Sequence, residues 1–275
     1  MPYAQAGDVK LHYESFGSGV PFLFVSGTGW PGAPWKLQQV AALADRYRVI
    51  VYDHRGGGKS DAPKGPYSTR QFAQDAIQLL DAVGIKDPAH IIGHSMGGRV
   101  CQWMAIDHPT RVRSMIQAAS GSGSMGMENY PRGLTVNATE SLITRGYKEH
   151  MWHHFQSKFF FPEAFVKAHP EVLTELFKTF WDNAPKIEPY LEHVIARNRH
   201  ETGEYLSKIT TPTLCIVGSE DKVDADTGNH VVTTEHLRDH IKGAEMKVID
   251  GCGHGFFWHK PEETNRIIRE WVDRH

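Results

Sequence analysis

Apolar positions along the chain follow two rhythms. An opening stretch reads as a hairpin with Gly7-Asp8 at its turn. Short continuous apolar runs then alternate with segments of helical period. PFLFVSG ends at glycine, and YRVIVYD, AHIIGH, VRSMIQAAS, TPTLCIVG and EMKVIDGCG are runs of the same kind. Between them, residues 33–45 read as a helix. Residues 69–83 place Phe72, Ala76, Leu79, Leu80 and Val83 on one helical face that stops before Gly84. Further helices are predicted over about 96–107, around 230–241, and from Pro261. Continuous apolar strands separated by amphipathic helices predict an α/β protein with a mostly parallel sheet covered on both faces.

The alternation breaks after Ser120. GSGSMGMENYPRG is a loop signal. Residues from about 134 to 206 read as helical throughout and carry many aromatics, among them Tyr147, Trp152, Phe155, the run Phe159, Phe160, Phe161, and Tyr190. The strand pattern then resumes. The organisation expected is one α/β core from residues 1–120 and 207–275, interrupted by a helical cap over 121–206.

Composition narrows the function classes. The 275 residues suffice for a well-buried core, and 40% hydrophobic with 23% charged content is ordinary for a globular domain. A net charge of −2 offers no basic stripe for nucleic acid. The first residues lack the basic and apolar regions of a signal peptide, and no run approaches the roughly 20 apolar residues of a membrane span. Cys101, Cys215 and Cys252 are too few and too scattered for a disulfide framework or a zinc site. The expectation is a cytoplasmic protein without nucleic-acid or membrane partners, with a homodimer left open.

Gly93-His94-Ser95-Met96-Gly97 is the strongest chemical signal, because it sits where a strand meets a helix. A serine in that tight turn projects its Oγ above the sheet, and the flanking glycines make room for the turn. Serine needs a base, and the base an orienting acid. Of 17 histidines, His254 follows the last strand, in Gly251-Cys252-Gly253-His254-Gly255, at the sheet edge where ligands bind. Asp221, in Gly218-Ser219-Glu220-Asp221 after the preceding strand, is the candidate acid, with Glu220 and Asp224 as neighbours that would serve instead. The oxyanion of an acyl-transfer intermediate needs two aimed N–H groups. Those of Met96, after the serine, and of Thr28, in the loop Ser26-Gly27-Thr28-Gly29, are the candidates. Gly29, Trp30, Trp152, Phe155 and Phe256 are the candidates for substrate contact. The plan calls for no metal or cofactor. His150, His153 and His154 have metal-like spacing but no evident carboxylate partner, and Gly58-Lys59-Ser60 lacks the earlier glycine of a phosphate loop. Arg145, Arg197 and Arg199 read as surface helix residues before they read as a carboxylate clamp.

The order GHSMGG, GSED, GCGH resembles the α/β-hydrolase superfamily over nearly the whole chain, and Asp53-His54-Arg55-Gly56-Gly57-Gly58-Lys59-Ser60 resembles its D-x-R-G-x-G-x-S turn. The resemblance implies an eight-stranded, mostly parallel sheet and a helical cap. The look is nearest to 3-oxoadipate enol-lactonase-like esterases and lactonases. Meta-cleavage-product hydrolases, which cut carbon–carbon bonds, come second. Serine at 95 argues against the relatives that use aspartate there. Two departures stand out: Ser26-Gly27 replaces the usual His-Gly of the oxyanion strand, and His259 stands where Glu is common. The resemblance implies a cofactor-free hydrolase of a small, largely apolar ester or lactone. A carbon–carbon hydrolase or a ligand-sensing protein on the same fold are the alternatives.

Overall fold

The computed structural model describes residues 3–124, 133–222 and 229–275. β1 (Tyr3–Ala6) and β2 (Val9–Phe16) form the expected hairpin, with Gly7 at φ +59° in the turn. β3 (Val20–Val25), β4 (Tyr47–Tyr52), β5 (Ala89–His94), β6 (Val112–Ala118), β7 (Thr213–Gly218) and β8 (Glu245–Ile249) extend it to an eight-stranded sheet ordered β1-β2-β4-β3-β5-β6-β7-β8. β2 is antiparallel to β4, and every pairing from β4 to β8 is parallel.

The continuous apolar strands are buried on both faces, and the period of two sorts their side chains. Phe22, Phe24, Val49, Val51, Ile92, Ile116 and Ile216 join one core. Their chain neighbours Leu23, Val25, Ile50, Ile91, Met115 and Cys215 join the other. The second core is closed by α2 (Thr69–Ala82), α3 (Met96–Asp107) and α9 (His230–His240). The first is closed by α1 (Gln39–Leu43) and α11 (Pro261–Val272), with the short α10 (Phe256–His259) beside it. Between β6 and β7 the chain forms α4 (Val136–Arg145), α5 (Tyr147–Phe155), α6 (Glu163–Ala168), α7 (Pro170–Trp181) and α8 (Ile187–Asn198). Among the described residues no helix is long and apolar enough to cross a membrane.

Two local expectations need correction. Residues 33–45 are not one helix: a 3₁₀ turn, Ala33–Leu37, breaks at Gln38 before α1. Trp35 is drawn into the core, where its Nε1 donates to Ser26 Oγ at 2.9 Å, and that anchor sets the turn's path. The stretch from 134 to 206 is helical but segmented, with Gly146 at φ +77° between α4 and α5 and prolines opening or preceding later helices.

From β3 the chain moves to one side for β4 and then crosses back past β3 for β5. The carboxyl ends of β3 and β5 therefore flank a point where the strand order reverses, the usual place for a crevice in such a sheet.

Candidate active site

Ser95 lies at that reversal point. It joins β5 to α3 with φ +56° and ψ −119°, a conformation that costs a residue with a Cβ on the order of 1–3 kcal/mol. Its side chain makes no cap hydrogen bond to the helix, so it is not an ordinary N-cap serine. The neighbouring glycines are sterically required. A Cβ at Gly93 would stand 2.2 Å from Gly97 O, and one at Gly97 would stand 2.0 Å from Val25 O. The turn is held by Ser95 N–H to Ala118 O (2.8 Å) and by Ser120 Oγ to Ser95 O (2.8 Å).

His254 and Asp221 meet where the sequence places them. His254 Nδ1 is 2.8 Å from Asp221 Oδ2, and both residues are buried. A carboxylate facing Nδ1 fixes the proton there and leaves Nε2 as an acceptor. Burial alone would raise the Asp221 pKa. The charges and hydrogen bonds of the His254 and His230 imidazoles outweigh it and hold the carboxyl well below the usual range. Glu220 is turned to the surface beside Lys222 and Ser219, and Asp224 lies outside the described residues. Sequence reasoning missed His230, whose Nδ1 is 3.1 Å from Asp221 Oδ1. A signal existed: Asn229 marks the start of α9, which puts His230 at the same sheet edge.

The loop after β3 closes over the serine. A Cβ at Gly27 would come within 3.3 Å of Ser95 Cβ, a tight contact that glycine avoids where this loop passes over the serine. With Ser26 in place of histidine, other groups brace it. His54 Nε2 donates to Ser26 O (3.1 Å), Asp53 Oδ1 accepts from Gly32 N–H (2.7 Å), and His193 on α8 accepts from Gly29 N–H (3.2 Å) while donating to Arg55 O (2.8 Å). The Asp53–Ser60 turn is thus a support for the loop. Met96 opens α3 beside Ser95 with its side chain fully buried.

A cavity of about 60 Å³ joins these parts. Gly27, Thr28, Trp30, His94, Ser95 and His254 line it from the core, and Met151, His154, Phe159, Phe160, Tyr190 and Arg197 from the insertion. Of the five candidates for substrate contact, Trp30 alone lines it. Phe155 is spent in packing, stacked on Trp30 with centroids 5.1 Å apart and set against Phe177 and Phe180 of α7. Trp152 packs on Phe177 and faces an outer groove, Phe256 is buried against Phe257, and Gly29 is covered by the Tyr190 ring. The wall is also more polar than expected, since Thr28, His154, Tyr190 and Arg197 share it with the aromatics. Arg145 and Arg199 lie elsewhere on the surface. The three consecutive phenylalanines divide their roles: Phe159 stacks on His254 (4.6 Å), Phe160 on Trp30 (5.5 Å), and Phe161 packs against Phe165. The carbonyls of Phe159 and Phe160 accept the N–H groups of His254 and Gly255, each at 2.8 Å.

The buried histidines His54 and His193, which brace the loop, and His90, which meets Ser114 Oγ between β5 and β6 at 2.7 Å, carry a stability cost in acid. Burial pushes His54 from its ordinary 6.5 down to about 3, and His193 and His90 down to about 4. All three are neutral in the fold at pH 6 but take up protons when unfolded. The unfolded chain therefore binds more protons between pH 6.5 and about 4, and stability falls as pH drops through that window. At pH 5 the loss is about 2 kcal/mol per histidine. The urea midpoint is expected to fall markedly from pH 7 to pH 5, and to fall less in His90→Asn. An unchanged midpoint would contradict this.

A family model described as alpha/beta hydrolase fold matches residues 20–261. The 3-oxoadipate enol-lactonase 2 of Acinetobacter baylyi is 30% identical over 279 aligned residues, covering 98% of this chain and 95% of that protein. A protein of Azorhizobium caulinodans assigned as a carbamate hydrolase is 30% identical, covering 98% of this chain and 97% of its own. The solved structure of an N-acyl homoserine lactone degrading enzyme is 29% identical with a TM-score of 0.80, covering 98% of this chain and 99% of that one. With residues 20–261 matched by the family model and relatives 30% identical over 98% of its length, the chain belongs to the α/β-hydrolase family and is a hydrolase.

Proposed function

We propose that this chain hydrolyses a small carboxylic ester or lactone, without a cofactor, through an acyl-enzyme on Ser95. The observation that carries this reading is the buried Asp221–His254 pair opening onto the same cavity as the strained Ser95. His254 Nε2 takes the hydroxyl proton as Ser95 Oγ attacks the carbonyl carbon. The amides of Met96 and Thr28 hold the oxyanion, and the closeness of the Gly27 loop to Ser95 supports that pairing. His254 then protonates the leaving oxygen, activates water, and returns the proton to Ser95 as the acid product leaves. Asp221 stays ionised throughout. The insertion, 121–206, serves as the cap that shapes the acyl side of the pocket. Relatives named for enol-lactone and acyl homoserine lactone cleavage support an oxygen leaving group. The buried free cysteines suit a reducing, cytoplasmic setting.

A panel of p-nitrophenyl acetate, a five-membered lactone and a coloured meta-cleavage dienol tests the reading. Ester and lactone are expected to turn over. Turnover of the dienol alone would replace this reading with carbon–carbon hydrolysis, and binding without turnover of any of them would make the chain a ligand-binding protein.

A further inference from the structure

The scheme above gives His230, a buried ionisable side chain beside Asp221, no work. His230 opens α9 and is 4% exposed. Two bonds tie it to Asp221: its Nδ1 meets Oδ1 at 3.1 Å, and its backbone N–H donates to Asp221 O at 3.1 Å. Its ring lies 4.6 Å from that of His254 and 5.6 Å from that of Phe159. Asn229 Oδ1 accepts from the Val231 and Val232 amides, which fixes the first turn of α9 and with it the approach of His230.

We propose that His230 is a positioning residue for the reaction, so that Asp221 is held between two imidazoles and the orienting unit is His254–Asp221–His230. This rests on the reading of Asp221 and His254 as acid and base. Asp221 is 0% exposed, so no bulk solvent supplies a donor to its second oxygen. A carboxylate gripped through one oxygen can turn about its Cβ–Cγ bond. Gripped through both, it keeps its plane, and Oδ2 stays aimed at His254 Nδ1. An unmet oxygen on a buried carboxylate is also costly, and rearrangement to satisfy it would take His254 out of register. His230 neither lines the cavity nor touches the reacting atoms, so it acts through Asp221.

His230→Phe keeps a ring against His254 and Phe159 but removes the donor. His230→Asn returns an N–H at nearly the place of Nδ1. On p-nitrophenyl acetate, the phenylalanine variant is expected to lose about 10- to 100-fold in kcat with KM within about twofold. The asparagine variant is expected to recover to within about threefold of wild type. In an Asp221→Asn background, His230→Phe should cause little further loss, because the carboxylate it orients is gone. Proton NMR supplies a readout independent of turnover: two far-downfield imidazole N–H resonances in the wild type and one in His230→Asn. The proposal is overturned by a kcat within twofold of wild type in His230→Phe, by an asparagine variant as slow as the phenylalanine one, or by a single downfield resonance in the wild type. If Asp221→Asn itself leaves activity intact, the underlying assignment of the acid fails instead, which is a separate result.

Discussion

Ser95→Ala is expected to lower kcat on p-nitrophenyl acetate by about 10⁶-fold, the order seen when a serine nucleophile is removed from a comparable triad. The loss does not reach the uncatalysed rate, because the oxyanion donors and the binding site remain and retain about 10³-fold or more. The fold should be unaffected. Ser95 makes no cap bond through its side chain, the backbone bonds of the turn do not involve its Oγ, and alanine meets the same positive φ that serine already tolerates. The thermal midpoint should therefore move little while activity vanishes. A fluorophosphonate should label the wild type at Ser95 and leave the variant unmodified. Unchanged turnover in Ser95→Ala would remove the acyl-enzyme from the mechanism.

Asp221→Asn is expected to cost about 10⁴-fold in kcat at neutral pH. An amide has one oxygen and one NH₂ where the carboxylate has two oxygens, while the protein offers two imidazoles, one on each side. One histidine must then face the NH₂ and turn its Nδ1 into an acceptor. If that one is His254, its proton moves to Nε2, and the atom that should receive the Ser95 proton becomes a donor. If it is His230, the plane of the side chain is set by the wrong partner. Circular dichroism should show a folded chain, and the loss should appear in kcat rather than KM. Asp224→Asn is expected to stay near wild type. Silence in that variant with activity in Asp221→Asn would move the acid to position 224.

Much of this was legible because it is local. The strands declare themselves by continuous apolar runs, and the period of two then decides which core each side chain joins, as Phe22 against Leu23 shows. Ser95, Asp221 and His254 each follow a strand, so sheet topology alone delivers them to one edge. What the chain hides is non-local. His193 braces Gly29 across 164 positions, and no spacing rule connects an α8 histidine to a loop after β3. Aromatic residues in the insertion misled for a related reason. Helical period says which face is apolar, but not whether that face meets the cavity or a neighbouring helix. Phe155 and Trp152 serve the insertion's packing, while the cavity takes Met151, His154 and Phe159 from the same neighbourhood. The helix expected over 33–45 failed because the bond from Trp35 to Ser26 outweighs local propensity.

The two carbonyls that hold the His254 loop bear on how such enzymes are re-engineered. Phe159 O and Phe160 O belong to the insertion, yet they supply the partners for the backbone of His254 and Gly255, and Gly253 is bare of side chain because a Cβ there would strike Phe159 O at 2.5 Å. Specificity is often sought by exchanging caps between relatives. In this chain a graft that cut between β6 and β7 would carry away the floor on which His254 rests. A chimera that retains residues 159–161, or that brings a donor segment with matched carbonyls, keeps the base in place. One that omits both inherits a new pocket over a disarmed serine.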